Sequence, residues 1–151
     1  MADPRFERFR HLIEEGIPFN RLLGLKLEEL ADGCAQARFE YKPELVGNPI
    51  TRVLHGGVIS AVLDVIGACA VMSTFTDTTS PLQGMGTVDM RIDFLRPGAG
   101  RHFIATGQVM RPGRILCASR MELHNDEAEL IAMGTAVYRV SRKLEDAPPN
   151  L

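Results

Sequence analysis

The stretch HGGVISAVLDVIGACAVMSTF, residues 55–75, decides the fold of this chain. From Val58 to Phe75 it is apolar on nearly every side and carries one charge, Asp64. A helix that is apolar all round lies inside a protein core or crosses a membrane. A membrane span needs about 20 apolar residues and tolerates a central carboxylate poorly, and no Lys or Arg cluster flanks this segment. We therefore predict a buried central helix and no membrane association.

The residues that follow this helix predict antiparallel strands. Within 85–95, the apolar residues Val88, Met90, Ile92 and Phe94 alternate with polar ones, which is the period of a half-buried strand. Short turns rich in Gly, Pro and Asn separate three further predicted strands, which should form an antiparallel meander. These strands are expected at 102–110, 115–124 and 130–140.

The residues before the helix predict smaller elements. Residues 1–23 form a helical segment, with helices over 4–15 and 18–23 that end at Gly24. Strands 25–30 and 34–41 form a hairpin around Asp32-Gly33, and a loop over 43–52 follows. The whole chain, 1–151, is thus expected to be one α+β domain with a polar tail at 142–151. In it a curved antiparallel sheet wraps the long helix.

Composition excludes several classes of protein. The chain has 151 residues, 17 basic and 19 acidic side chains, and a formal charge of -2, which disfavours a nucleic-acid partner. The cysteines Cys34, Cys69 and Cys117 have neither metal-ligand spacing nor the pattern of a disulfide framework. The charged first residues do not resemble a secretory signal, so we expect a reducing, cytoplasmic compartment.

The helix start carries the first chemical signal. Gly56 and Gly57 permit a tight turn and should leave the first helical amides uncovered by side chains. A helix N-terminus carries about +0.5 charge and would stabilise a carbonyl oxygen that gains negative charge. A plain glycine-containing helix start is the alternative.

Asp64 carries the second signal, because a carboxylate in an apolar helix is costly unless it is paired or functional. A satisfied buried aspartate in a dimer interface is the alternative. Seven helical residues separate Gly57 from Asp64, which is roughly 10 Å along the axis. A curved sheet also covers only one side of the helix, so its other side and the sheet edge need a partner. Two antiparallel helices in a homodimer would place each Asp64 beside the partner's Gly57, giving two composite sites.

These motifs resemble a known family. HGG, an Asp nine residues after the His, and a strand ending in DFLRPG resemble the hot-dog-fold acyl-CoA thioesterases of the PaaI-like superfamily. Over about residues 18–140, the motifs PFNRLLGL, VGN, LHGGVI, MGTVD, DFLRPG and ELHN look most like its YigI-type medium- and long-chain branch. The resemblance implies hydrolysis of acyl-CoA to a free acid and CoA, without metal or cofactor. It also implies a homodimer or a dimer of dimers.

The same resemblance implies residue roles. The Gly57 amide would polarise the thioester carbonyl, and Asp64 of the partner subunit would act as general base or nucleophile. His55 and Asn48 would lie near the carbonyl or the leaving sulfur, although Asn48 precedes His55 by seven residues where some relatives have six. Thr87 matches a Ser/Thr position that helps to hold the attacking water in some relatives.

Residues outside the reacting centre could contact the substrate, and each of them has a purely structural alternative. Arg96, Arg111 and Arg114 flank RPG-type turns, where they could bind CoA phosphates or be solvated turn charges. An acyl chain could lie between the paired helices, against a set of apolar residues that are otherwise core: Val58, Ile59, Val62 and Met72. The remaining histidines are interpreted as surface or turn residues with no metal spacing: His11, His102 and His124.

Two rival functions fit the same fold. A non-catalytic acyl-CoA or fatty-acyl binding protein would need the pocket without the carboxylate. A hydratase or dehydratase would need a different Asp/His arrangement, which we do not find. A serine hydrolase is disfavoured because the chain has no GxSxG motif.

Overall fold

The computed structural model describes residues 4–75 and 82–141. The described residues form three α-helices, namely α1 (Pro4–His11), α2 (Pro18–Leu23) and α3 (Gly56–Met72). They also form eight strands, namely β1 (Lys26–Ala31), β2 (Cys34–Glu40), β3 (Val46–Asn48), β4 (Val53–Leu54), β5 (Gly86–Phe94), β6 (His102–Arg111), β7 (Leu116–Asn125) and β8 (Leu130–Arg139). The predicted tail at 142–151 lies outside the described residues.

The predicted central helix is confirmed, with different ends. It begins at Gly56 and stops at Met72, because hydroxyl groups then take the last carbonyls. Ser73 donates to the Ala70 carbonyl at 2.7 Å, and Thr74 donates to the Val71 carbonyl at 2.7 Å. Such local side-chain bonds compete with the helical ladder. At 17 residues, α3 is the longest helix described, and none of the described helices is long and apolar enough to cross a membrane.

Six strands form the sheet that covers α3, in the order β1-β2-β6-β7-β8-β5, and every neighbouring pair is antiparallel. The α+β prediction and the β6-β7-β8 meander are therefore confirmed. β5 precedes β6 in the chain but pairs with β8 on the far side of the meander. Its other edge pairs with none of the described strands, which leaves a sheet edge beside the helix.

The N-terminal prediction is confirmed in part. The helix predicted over 4–15 is α-helical only to His11 and continues as a π-helical turn, Leu12–Gly16. Asn20, which is buried, donates from Nδ2 to the Ile13 carbonyl at 2.9 Å, and this bond anchors the wider turn. α2 ends at Gly24 with φ +72°, and the β1–β2 hairpin forms with Gly33 at φ +75°, both as predicted.

The predicted loop 43–52 is more ordered than its sequence indicates. It contains a 3-10 turn, Pro43–Leu45, and the strand β3, which pairs with β4 just after the loop. Asn48 closes this small hairpin, because its Oδ1 accepts the Ile50 and Thr51 amides at 2.9 and 3.3 Å. This is an Asx turn, which mimics a backbone turn. The Gly-Asn-Pro residues therefore predicted the turn correctly, but they did not indicate the short strands on either side of it.

Two glycines let α3 lie unusually close to the sheet. A Cβ on Gly107 of β6 would stand 2.5 Å from the Ile66 carbonyl oxygen and 2.9 Å from its carbon. A Cβ on Gly67 of α3 would collide with Tyr138 and would stand 2.8 Å from Ser119 Oγ. Helix backbone and strand backbone are thus nearly in contact, and no side chain fits between them.

Replacing Gly107 with Ala should lower the free energy of unfolding by roughly 2–3 kcal/mol, because the methyl group must push against backbone. Thr106→Ala is the matched control, since the adjacent side chain points to the opposite face and is only half-buried. Urea denaturation of both variants measures the difference. Equal stability of the two variants would contradict this close approach.

Candidate functional site

His55 is the N-cap of α3. Its backbone is extended (φ -63°, ψ 135°), and its Nδ1 accepts the Gly57 amide at 2.8 Å. The His55 carbonyl accepts the Val58 and Ile59 amides at 3.0 and 3.3 Å. A ring nitrogen that accepts a hydrogen bond carries no proton, so the neutral ring carries its proton on Nε2. His55 is exposed, and this N–H is a donor at the mouth of the helix.

The prediction that the first amides are uncovered is wrong for Gly57 in this structure. Its N–H is held by the imidazole, and a Cβ on Gly57 would stand 2.9 Å from His55 Nδ1. The absent side chain therefore lets the imidazole sit over the amide. The partial positive charge of the helix N-terminus at this point is therefore directed at the His55 imidazole.

Gly47 and Asn48 bring β3 against the helix start. A Cβ on Gly47 would stand 2.6 Å from His55 Cα, and the His55 amide donates to the Leu45 carbonyl at 2.8 Å. Asn48 is the next residue, and its Oδ1 is occupied within its own turn. The structure thus brings Gly47 against His55, which caps Gly57, while the Asn48 side chain closes its own turn.

Asp64 lies near the middle of α3, where it contacts the edge strand. Thr87 of β5 donates from Oγ1 to Asp64 Oδ1 at 2.8 Å. Asp64 is half-buried and Thr87 is exposed, so the carboxylate is held by a hydroxyl and remains open to solvent on one side. A carboxylate held in this way can accept a proton from water or attack an electrophile.

Within one chain, the helix start and Asp64 remain apart. Gly57 and Asp64 are seven residues apart, which corresponds to roughly 10 Å along the helix axis, as the sequence predicts. β5 runs antiparallel to this half of α3, because Thr87 near its start contacts Asp64 and Phe94 at its end approaches Gly56. The two parts of the candidate site therefore lie at opposite ends of one exposed edge strand.

The three predicted phosphate-binding arginines are divided between the two ends of the sheet. Arg96 follows β5, and its guanidinium donates to the Leu130 carbonyl at 2.9 Å. Arg111 ends β6 and Arg114 lies in the β6–β7 turn, both at the opposite end. A single chain therefore does not gather them around one ligand.

Most of the proposed acyl-contact residues belong to the core. Ile59, Val62 and Met72 are 3%, 0% and 2% exposed, so the core interpretation of these residues is correct. Val58 alone is half-buried. Among residues 4–75 and 82–141, no group of three His, Cys, Asp or Glu side chains could hold a metal ion.

The sequence reading missed two residues of this region. The Phe94 ring packs against Gly56 at the helix start while remaining 54% exposed. Tyr138 of β8 donates from its hydroxyl to the Asp64 main-chain carbonyl at 2.8 Å. Both occupy ordinary strand positions, and the available signal was Gly67, whose small size in a long helix indicates that another group approaches closely.

Comparisons with known proteins agree on one family. The model of the thioesterase superfamily matches residues 52–132. The medium/long-chain acyl-CoA thioesterase YigI of Escherichia coli is 45% identical over 133 residues, which cover 82% of this chain and 86% of that protein. The equivalent protein of Salmonella typhimurium matches equally well.

Solved structures also resemble this chain. A Shewanella oneidensis protein related to the thioesterase superfamily superposes with a TM-score of 0.83 and 38% identity, covering 93% of this chain and all of that one. The PaaI protein of Escherichia coli, from the phenylacetic acid degradation operon, superposes with a TM-score of 0.77. It is 23% identical, and 91% of this chain and 94% of that chain are covered, so it supports the fold alone.

Replacing His55 with Ala should lower the free energy of unfolding by about 1 kcal/mol, because the Gly57 amide loses its N-cap acceptor. His55→Asn should retain most of that stability, since an amide oxygen can cap the same group. The urea midpoint at constant m-value measures the change, with His11→Ala as the surface control. A His55→Ala midpoint equal to that of wild type would show that the cap contributes nothing.

Proposed function

Because this chain belongs to the thioesterase superfamily, we propose that it hydrolyses acyl-CoA to a free carboxylic acid and CoA. The 45% identity to an acyl-CoA thioesterase over most of both chains supports this activity. The observation that carries the chemistry is the half-buried Asp64 carboxylate held by Thr87 beside an unpaired strand edge. Chains of medium or long length are proposed as substrates by analogy with that relative's name.

We assign the reacting groups as follows. Asp64 takes a proton from water, whose oxygen attacks the thioester carbonyl carbon, and Thr87 keeps the carboxylate in place. The carbonyl oxygen becomes an oxyanion at the start of α3. The C–S bond then breaks, the CoA thiolate takes up the proton held by Asp64, and the free acid is released. Direct attack by Asp64, through an anhydride that water opens, gives the same products.

Gly57 can polarise the carbonyl only if His55 releases its amide. The substrate oxygen replaces Nδ1 as the acceptor, which exchanges one neutral hydrogen bond for another and costs at most about 1 kcal/mol. The displaced imidazole stays at the helix mouth, where its Nε2 proton can approach the carbonyl or the leaving sulfur. No cofactor or metal is required for these steps.

The proposed site needs two chains, and β5 is where they would join. Among residues 4–75 and 82–141, no strand pairs with its outer edge. Three apolar side chains at or just beyond this strand are about half exposed: Val88 at 58%, Phe94 at 54% and Leu95 at 47%. An edge with exposed apolar side chains favours strand pairing with another molecule. A second copy, paired antiparallel, is the occupant we propose.

Charge and the position of the helix start together select the register of this pairing. Met90, Ile92 and Phe94 pair with Ala136, Gly134 and Ala132 and face the helix, so Asp89 and Arg91 face the other side. Directly opposed residues share a face, and a two-fold axis at Met90 places Arg91 opposite the partner's Asp89. An axis at Arg91 would instead oppose two arginines, and is disfavoured. An axis at Ile92 would also match charges, with Arg91 opposite the partner's Asp93, but it would place Phe94 opposite the partner's Met90 and leave the helix start far from the partner's Thr87.

This register completes the site. Phe94, which approaches Gly56 at the helix start, would lie opposite the partner's Gly86. The next residue of that strand is the partner's Thr87, which holds the partner's Asp64. Each helix start would thus face the carboxylate of the other subunit, in two equivalent sites.

The same pairing would place all three predicted phosphate-binding arginines at one end of the joined sheet. Arg96 of the partner subunit would lie at the end of the sheet that carries Arg111 and Arg114. The three intervening strand spacings amount to roughly 15 Å, a distance that the extended CoA molecule can bridge. We propose that these arginines bind its phosphate groups, where bidentate contacts are available. A further pairing into a dimer of dimers remains a prediction.

Replacing Asp64 with Ala should lower kcat at least a hundredfold, because the proposed base is removed. Release of CoA thiol, followed with DTNB across short, aromatic, medium and long acyl-CoAs, measures the loss. The mass of the dimer should be unchanged. Full activity of the variant would refute the assignment of Asp64, and wild-type binding of acyl-CoA without thiol release would favour a non-catalytic binding protein.

Replacing Arg91 with Glu should weaken the dimer roughly tenfold, because two symmetric attractions become repulsions of about 0.2–1 kcal/mol each. Adding Asp89→Lys in the same chain should restore most of the affinity, since the charges again match. Sedimentation of wild type, Arg91→Glu and the double variant tests this register. Independent effects of the two substitutions would place the axis elsewhere.

A further inference from the structure

Asp64 is held at two atoms by two neighbouring residues of the sheet. Thr87 donates to its side-chain Oδ1, and Tyr138 donates to its main-chain carbonyl, each at 2.8 Å. Thr87 and Tyr138 are direct partners in the β5–β8 ladder. A carbonyl oxygen has two lone pairs, so the Tyr138 bond can be added to the helical ladder without breaking it.

Thr87 reaches the carboxylate because the ladder is irregular at that position. The register shifts between Thr87 and Asp89, so Val88 is an extra residue. A bulge of this kind redirects the neighbouring side chains. It turns Thr87 to the helix face that it shares with Tyr138.

The fold makes room for the Tyr138 hydroxyl. Tyr138 is 1% exposed, and a buried hydroxyl needs a partner. It reaches Asp64 because Gly67, three residues later in α3, has no Cβ to block it. Glycine inside a helix costs about 1 kcal/mol of helix stability relative to Ala. The contact with Tyr138 requires this glycine in spite of that cost.

The phenol is also fixed as a donor. Burial raises the pKa of Tyr138, and the neighbouring Asp64 carboxylate raises that pKa further. The Tyr138 hydroxyl therefore keeps its proton at neutral pH and acts as a hydrogen-bond donor. Ser119, which is 1% exposed, lies beside the same group, since its Oγ and the Tyr138 hydroxyl both approach the Gly67 position.

We propose that Tyr138 is a positioning residue for the thioesterase reaction, one that fixes α3 at Asp64 so that the carboxylate stays on Thr87. This inference rests on the proposed function. The hydroxyl touches no reacting atom; it sets the height and rotation of the helix where the carboxylate projects. A displacement of about 1 Å in a catalytic group can cost up to a hundredfold in rate, so a small relaxation of α3 is sufficient.

Tyr138→Phe should lower kcat roughly tenfold and leave KM within twofold of wild type. Tyr41→Phe is the matched control, because the Tyr41 hydroxyl is buried without a hydrogen-bond partner among the described residues. Its kcat should equal that of wild type. Equal kcat for wild type and Tyr138→Phe, or a loss shared by both variants, would overturn the proposal.

A double-mutant cycle with Asp64→Asn separates positioning from general weakening of the fold. If the hydroxyl acts through the carboxylate, Tyr138→Phe should change the residual rate of Asp64→Asn less than twofold. A further tenfold loss in that background would show that the hydroxyl acts elsewhere and would refute the proposal.

A structural measurement makes the test independent of activity. In crystals of Tyr138→Phe the distance from Thr87 Oγ1 to Asp64 Oδ1 should lengthen beyond hydrogen-bonding range, whereas Tyr41→Phe should keep it near 2.8 Å. An unchanged distance in Tyr138→Phe would overturn the positioning role. Absence of thiol release by wild type would instead refute the proposed function, and this distance would still be measurable.

Discussion

The structure depends on the close approach of α3 to the sheet. Gly67 on the helix and Gly107 on β6 let the two backbones meet without intervening side chains, and dispersion contacts are strongest in such dense packing. The same approach brings the Asp64 carbonyl within reach of Tyr138 and the carboxylate within reach of Thr87. The packing of α3 against the sheet therefore also fixes the position of the Asp64 carboxylate.

The division of the candidate site follows from helix geometry. A rise of 1.5 Å per residue places the helix start and Asp64 roughly 10 Å apart in any single chain, while β5 carries one contact for each of them. A strand that is unpaired on one side and polar-apolar in alternation is suited to meet its own copy, because antiparallel pairing exchanges its two ends. The proposed composite site is a consequence of that exchange.

Much of the fold could be predicted from periodicity. The apolar run after His55, the alternation in β5 and the turn signals of the meander each reflect local patterns, and each element formed. The hidden β3–β4 hairpin, the π-helical turn before Gly16 and the pairing of β5 with β8 could not be predicted in this way. They depend on individual side-chain hydrogen bonds that periodicity does not reveal, such as those of Asn48 in the β3–β4 turn and Asn20 on the Ile13 carbonyl, or on which edge of the sheet is free to accept a strand.

For the site, the sequence by itself determined the chemistry: an acidic group in an apolar helix, a glycine-rich helix start, and a family resemblance that names the substrate class. Only the tertiary structure decided how these groups are used. It showed His55 covering the Gly57 amide, the arginines at opposite ends of the sheet, and the Tyr138 hydroxyl beneath Asp64. The physical reason is that residue spacing fixes positions along one element, whereas hydrogen bonds between elements depend on how those elements pack.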